Sequence, residues 1–169
     1  MLDQQLREDL ACAFRWSARL NMHEGIANHF SAAINTQGTQ FLVNPYGKHF
    51  SKICASDLIV LDVNHPPGSS DENVDQTAYC IHGSIHKNNA KARCVLHLHP
   101  KYSTALSAVK DPIIPPIDQT TMRFYNRVAF DDGYNGMGVG NEAERLSKTI
   151  GLKLLSIKKS IKCSGQLIS

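Results

Sequence analysis

The chain has 169 residues, 42% of them hydrophobic and 20% charged, and a formal net charge of +3. That length suits one domain with its own core, and so small a dispersed charge gives no support to a nucleic-acid partner. No window approaches the ~20 consecutive apolar residues that a membrane span needs.

Asp3, Glu8 and Asp9 stand where a secretory signal would be basic and then apolar, so no export is expected. Five cysteines (Cys12, Cys54, Cys80, Cys94, Cys163) are an odd number without a CxxC pair. They read as buried or free thiols of a cytoplasmic protein, not as a disulfide frame.

In chain order, Leu6, Leu10, Phe14 and Ala18 recur every four positions and predict an amphipathic helix over residues 2–22. Residues 23–28, with Gly25, break it. Residues 29–34 and 40–43 read as strands of a hairpin joined through Asn35-Thr36-Gln37-Gly38. Asn44-Pro45-Tyr46-Gly47 is a turn, residues 58–63 form a strand, and 64–73 a polar loop. A second helix fits 75–88, with Ala78, Ile81, His82 and Ile85 along one stripe. Residues 93–99 form a strand, and Pro100 opens a helix over 101–109. A proline-rich crossing follows, then an irregular stretch, a short strand near 128–130, a Gly-rich loop at 133–140 and a helix capped by Asn141 and ending near Ile150. Residues 151–169 mix leucine and isoleucine with lysine and fit neither a clean strand nor a strongly amphipathic helix. The short mixed elements imply an α/β layer fold with a mostly antiparallel sheet.

The chemistry gathers at His97-Leu98-His99. Alternate side chains of a strand share a face, so the two imidazoles project together and Leu98 projects the other way. Paired imidazoles at fixed spacing are the usual start of a transition-metal site. No histidine follows position 99, so a third ligand must come from upstream, from a carboxylate or from outside the chain. His82 and His86 lie four apart on the second helix; His82 is read as a hydrogen-bonded packing residue or an accessory ligand, and His86 as a surface residue. The turns at residues 28–31 and 44–47 offer backbone N–H groups that could hold a phosphate or carboxylate.

These segments together resemble the class II aldolase/adducin family over residues 2 to about 150. They share its order of elements: the leading helix, the hairpin opened by Gly25 and Asn28, the Pro45-Tyr46-Gly47 turn, and Leu58-Ile59-Val60-Leu61-Asp62. The Ile81-His82 pair on a helix and the apolar strand ending in His97 and His99 complete it. Asn44-Pro45-Tyr46-Gly47 and Ile117-Asp118-Gln119 are closer to the adducin-like branch. The resemblance implies a three-layer α/β/α fold, often tetrameric, with zinc or a similar divalent ion that polarises a carbonyl and stabilises an enediolate in sugar-phosphate cleavage or epimerisation. Under it His97 and His99 match metal ligands, and Asn28, Gly47 and Thr77 match substrate-binding positions.

Three positions depart from the pattern. Ala78 stands at the acid/base carboxylate, Gln76 and Thr77 stand at paired serines, and the third ligand histidine, expected near residue 161, is absent. Cys163 is a candidate substitute ligand. The resulting expectation is one domain over 1–150, incomplete at its C-terminal end through truncation or a frame change, followed by an atypical tail over 151–169. Its function is a weakly held metal site for a small hydroxylated carbonyl substrate, of aldehyde-lyase or epimerase type, in a homo-oligomer. A non-catalytic adducin-like interaction module is the alternative, as is an inactive fragment with an exposed sheet edge.

Overall fold

The structure is a computed structural model that describes residues 2–68, 71–133, 140–151, 155–158 and 167–168. Its helices are α1 (Leu2–Arg19), α2 (Gln76–Asn88), α3 (Lys101–Ser107), α4 (Gln119–Met122) and α5 (Asn141–Ile150). The strands are β1 (His29–Ala33), β2 (Gln40–Val43), β3 (Ile59–Asp62), β4 (Cys94–Leu98), β5 (Val128–Asp131), β6 (Leu155–Lys158) and β7 (Leu167–Ile168). They form one sheet in the order β3-β2-β1-β4-β7-β6-β5. Every described pairing is antiparallel except β5 with β6.

The layering follows from strand alternation. Phe30, Ala32, Leu42 and Leu98 face α1, where they bury Leu10 and Phe14 together with Phe50, Ile53 and Leu58. Phe14 stacks on Phe30 with ring centroids 4.6 Å apart. On the other face α2 and α5 cover the sheet, with Ile81 and Ile85 packed against Val95, Ala143, Leu146 and Ile150. Phe41, Val43, Leu61, Val74 and Ala78 form a second cluster on that side. This is the α/β/α sandwich expected, with β1 and β4 at the middle of the sheet.

Five local details differ from the sequence reading. The first helix ends at Arg19 rather than near residue 22, because Asn21 turns left-handed at φ 54°. Met22 N–H then donates to the Ser17 carbonyl and Asn21 N–H to that of Ala18, closing the helix before Gly25 is reached. Gly140, not Asn141, is the N-cap of α5. Residues 50–52 and 55–57 form short 3-10 turns, and the stretch read as irregular contains α4, whose N-cap Asp118 accepts from Thr121 N–H at 2.7 Å. Finally, β6 and β7 lie within the residues read as neither strand nor helix, and β7 pairs antiparallel with β4. Most of the Gly-rich loop, the expected third-ligand position near 161 and Cys163 lie outside the described residues. Cys12, Cys54, Cys80 and Cys94 are free thiols, as expected, and no described helix is long and apolar enough to cross a membrane.

Candidate functional site

Strands β1 and β4 run antiparallel with His29 directly opposite His97. Residues opposite each other in such a pair project to the same face, and this face is the one under α2. His97 Nδ1 lies 2.9 Å from His29 Nε2. His99, just past the end of β4, shares the face, and its Nε2 is 3.1 Å from His97 Nε2. Leu98 points into the α1 core, which is the alternation read from the sequence. Glu24, in the segment between α1 and β1, brings Oε2 to within 2.5 Å of His99 Nδ1. The His99 side chain is 8% exposed and that of Glu24 69%, so the pair sits at the rim of the site.

Behind His97 a buried polar row crosses the layer between sheet and helix. His29 Nδ1 meets His82 Nε2 at 2.7 Å, and His82 Nδ1 meets Ser31 Oγ at 2.5 Å. Ser31 Oγ meets His86 Nε2 at 2.7 Å, and His86 Nδ1 reaches the Ala92 carbonyl oxygen at 2.6 Å. Two periodicities meet here. Positions i and i+2 of β1 supply His29 and Ser31, and positions i and i+4 of α2 supply His82 and His86. Burial pushes the His29 imidazole down to about 4, with the nearby Asp75 carboxylate opposing and His99 adding to the shift. It lowers His86 to about 4 as well, against the Ala92 carbonyl that favours the protonated ring. His82 is pushed well below its ordinary value by burial and then by its histidine neighbours. These three rings are neutral at physiological pH.

The expected substrate positions are linked to this row through the backbone. Asn28 is buried, and its Oδ1 accepts from Glu24 N–H at 2.7 Å, so Asn28 and His99 share Glu24. Its Nδ2 is buried without a hydrogen-bond partner. Asn44 accepts from Phe30 N–H at 3.1 Å, which docks the 44–47 turn beside Asn28. Gly47 has φ +77° with open space where a Cβ would be, a conformation that favours glycine and leaves its backbone approachable. Tyr46 N–H donates to the Asn73 carbonyl at 2.8 Å, tying the turn to the segment leading into α2. There Asp75 caps the helix by accepting from Thr77 and Ala78 N–H, and Thr77 is half-buried in the first turn.

A family model described as Class II Aldolase and Adducin N-terminal domain matches residues 8–160. The chain belongs to the class II aldolase and adducin family. An aldolase II superfamily protein from Pseudomonas syringae superposes with a TM-score of 0.84 at 32% identity, covering 98% of this chain and 66% of that one. L-fuculose 1-phosphate aldolase from Glaciozyma antarctica PI12 superposes at 0.79 with 24% identity, covering 97% and 63%; at that identity the likeness concerns the fold. Alpha-adducin of Rattus norvegicus is 28% identical over 155 residues, which make up 89% of this chain and 21% of the adducin. The chain spans 15% to 59% of the length of its first curated relatives.

Against that family background, the structure brings His97 and His99 together, and hydrogen bonds tie Asn28 to Glu24 and Asn44, at the head of the 44–47 turn, to Asn28. His82 stands behind the pair, not beside it, because both its nitrogens are engaged by His29 and Ser31. His86, read as a surface residue, is 1% exposed; α2 lies close enough to β1 for its second histidine to reach Ser31. The sequence reading gave Glu24 no role and took residues 28–31 as a turn offering backbone N–H groups, whereas His29 and Ser31 lie in β1 and act through their side chains. A signal for two of them was present, since His29 and Ser31 are polar alternates in a strand whose other positions are Phe30, Ala32 and Ala33. Among the described residues no group of three or more His, Cys, Asp or Glu side chains is arranged to hold a metal ion. Ala78 is 1% exposed inside the apolar cluster of Phe41 and Val74. A cleft of about 350 Å³ between α2 and α5 is lined by Val63, Tyr79, Lys87 and Glu144 among others and by no histidine.

Proposed function

We infer that this chain is a class II aldolase-like protein in which His97 and His99 hold a weakly bound divalent cation, of the zinc kind, for a small hydroxylated carbonyl or sugar-phosphate substrate. One observation carries the reading: two ring nitrogens converge at 3.1 Å at the rim of the site, with a carboxylate behind one of them. Zinc–nitrogen bonds of about 2.0–2.1 Å at tetrahedral to right-angle spacing put two donor atoms roughly 2.9–3.3 Å apart, so the pair has a metal's bite. The donor chemistry fits two coordination positions and no more. Glu24 serves the far nitrogen of His99, in the outer role that fixes a ligating ring's tautomer and plane.

A divalent ion there supplies Lewis-acid polarisation of a substrate carbonyl. The chain's own residues supply the rest. The unpartnered Asn28 Nδ2, the open backbone at Gly47 and Thr77 at the start of α2 are donors suited to an oxyanion or phosphate. Ala78 supplies nothing, and general acid–base assistance is typically worth ~10²–10⁴ in rate. Carbon–carbon cleavage or epimerisation by this chain is therefore slow. The same Ala78, packed in an apolar cluster, favours the adducin-like interaction module as the second reading. Free thiols support a reducing, cytoplasmic setting, and a homo-oligomer accords with the family.

Metal analysis and zinc titration decide between these. Wild type is expected to bind zinc weakly, and the His97→Ala, His99→Ala double variant not at all; equal metal content in the two would remove the site. An aldol-cleavage screen over sugar phosphates with added zinc is expected to show slow turnover that a chelator abolishes. Silence across the panel favours the interaction module.

A further inference from the structure

The row of hydrogen bonds behind His97 has a direction. A carbonyl oxygen can only accept, so His86 must carry its proton on Nδ1 to bond Ala92 at 2.6 Å. A neutral ring protonated there has a bare Nε2, which accepts from the Ser31 hydroxyl at 2.7 Å. Having spent its one proton on His86, Ser31 Oγ accepts from His82, at 2.5 Å, so His82 is protonated on Nδ1 too. By the same step His82 Nε2 accepts from His29 Nδ1–H, and His29 Nε2 accepts from His97 Nδ1–H. His97 is thereby left with a bare Nε2. On the other side Glu24 accepts from His99 Nδ1–H, so a His99 that carries one proton also has a bare Nε2.

We propose that His29, His82, Ser31 and His86 form a one-way hydrogen-bond relay, anchored on the Ala92 carbonyl, that positions His97 with its Nε2 lone pair toward that of His99. Its service to a metal ion rests on the function inferred above; the tautomer order itself does not. Two lone pairs 3.1 Å apart repel unless a proton or a metal ion lies between them, and the relay leaves His97 Nε2 able to accept either. Reversal of the row would need a protonated His86, which its burial opposes. Four buried polar residues in an apolar layer are costly unless every bond is made, and here each ring nitrogen of His29, His82 and His86 has a partner. The four act as positioning residues, since only His97 and His99 present atoms to a ligand.

The test is a long-range ¹H–¹⁵N correlation spectrum of the imidazoles in the full metal-free chain at neutral pH, followed by zinc titration. His29, His82, His86, His97 and His99 are all expected as Nδ1–H forms, the reverse of the form that free histidine favours. In Ser31→Ala the link to the Ala92 anchor is cut, so His29 and His97 are expected to gain Nε2–H population and zinc affinity to fall about tenfold. Ser31→Thr, which keeps the hydroxyl, is expected to restore both. An Nε2–H form at His29 or His97 in wild type overturns the relay. So does Ser31→Ala with unchanged tautomers, or with an affinity loss that leaves the His97 tautomer as it was. Should the alanine variant fail to fold, the wild-type spectrum still decides the tautomer order. Wild type that shows all five Nδ1–H rings but binds no zinc sinks the metal reading and upholds the relay.

Discussion

Replacing His86 with glutamine tests whether the buried row makes this fold acid-sensitive. Burial lowers the His86 ring from its ordinary 6.5 to about 4, so the unfolded chain binds a proton in a range where the native chain does not. A histidine with a depressed native value contributes no penalty above about pH 7.5 and progressively destabilises the fold as pH falls through 6.5 toward 4. Integrating that linkage gives a loss of about 2.5 kcal/mol from this single group between about pH 7.5 and about pH 4.5. Glutamine keeps a donor and an acceptor for Ala92 and Ser31 but does not titrate. It is expected to cost about 1–3 kcal/mol at neutral pH through imperfect bonding in a buried site. Urea denaturation followed by far-UV circular dichroism at the two pH values gives the comparison. The variant is expected to lose about 2.5 kcal/mol less stability on acidification than wild type. Equal losses would refute the claim that His86 is buried and neutral.

Glu24→Ala removes the carboxylate behind His99 at an exposed site and is expected to weaken zinc binding about tenfold with little change in thermal stability; unchanged affinity in isothermal titration would deny the carboxylate its orienting role. Gly38 has φ +68°, and a Cβ there would collide with the His86 carbonyl. Gly38→Ala is therefore expected to destabilise by about 3 kcal/mol or more, read as a shifted urea midpoint, and a midpoint like that of wild type would contradict the packing of the hairpin on α2. Asp75→Ala deletes the cap that accepts from Thr77 and Ala78 N–H and is expected to cost about 1 kcal/mol, checked by thermal melting.

What the chain declares by itself is everything that repeats within a few residues. Period-four apolar positions mark α1, alternation marks β1, β2 and β4, and the spacing of His97 and His99 already places both rings on one face with Leu98 opposite. Helix ends are less legible because capping depends on single backbone angles: Asn21 adopts a left-handed turn ahead of the one that Gly25 makes. Acting locally, such patterns say nothing about which strands become neighbours. That β1 lies beside β4, 68 residues away in chain terms at the His29–His97 bond, is a matter of long-range pairing and of which loops can close. Only that pairing, with α2 laid across it, turns His29, Ser31, His82 and His86 from separate polar residues into one row. It also buries His86, whose place on α2 resembled a solvent-facing one until Ser31 and the Ala92 carbonyl were found against it. Imidazole spacing is inherited from the strand; the partners that decide which nitrogen carries the proton come from the tertiary fold, because hydrogen bonds in a dry interior must be closed by whatever packing brings within reach.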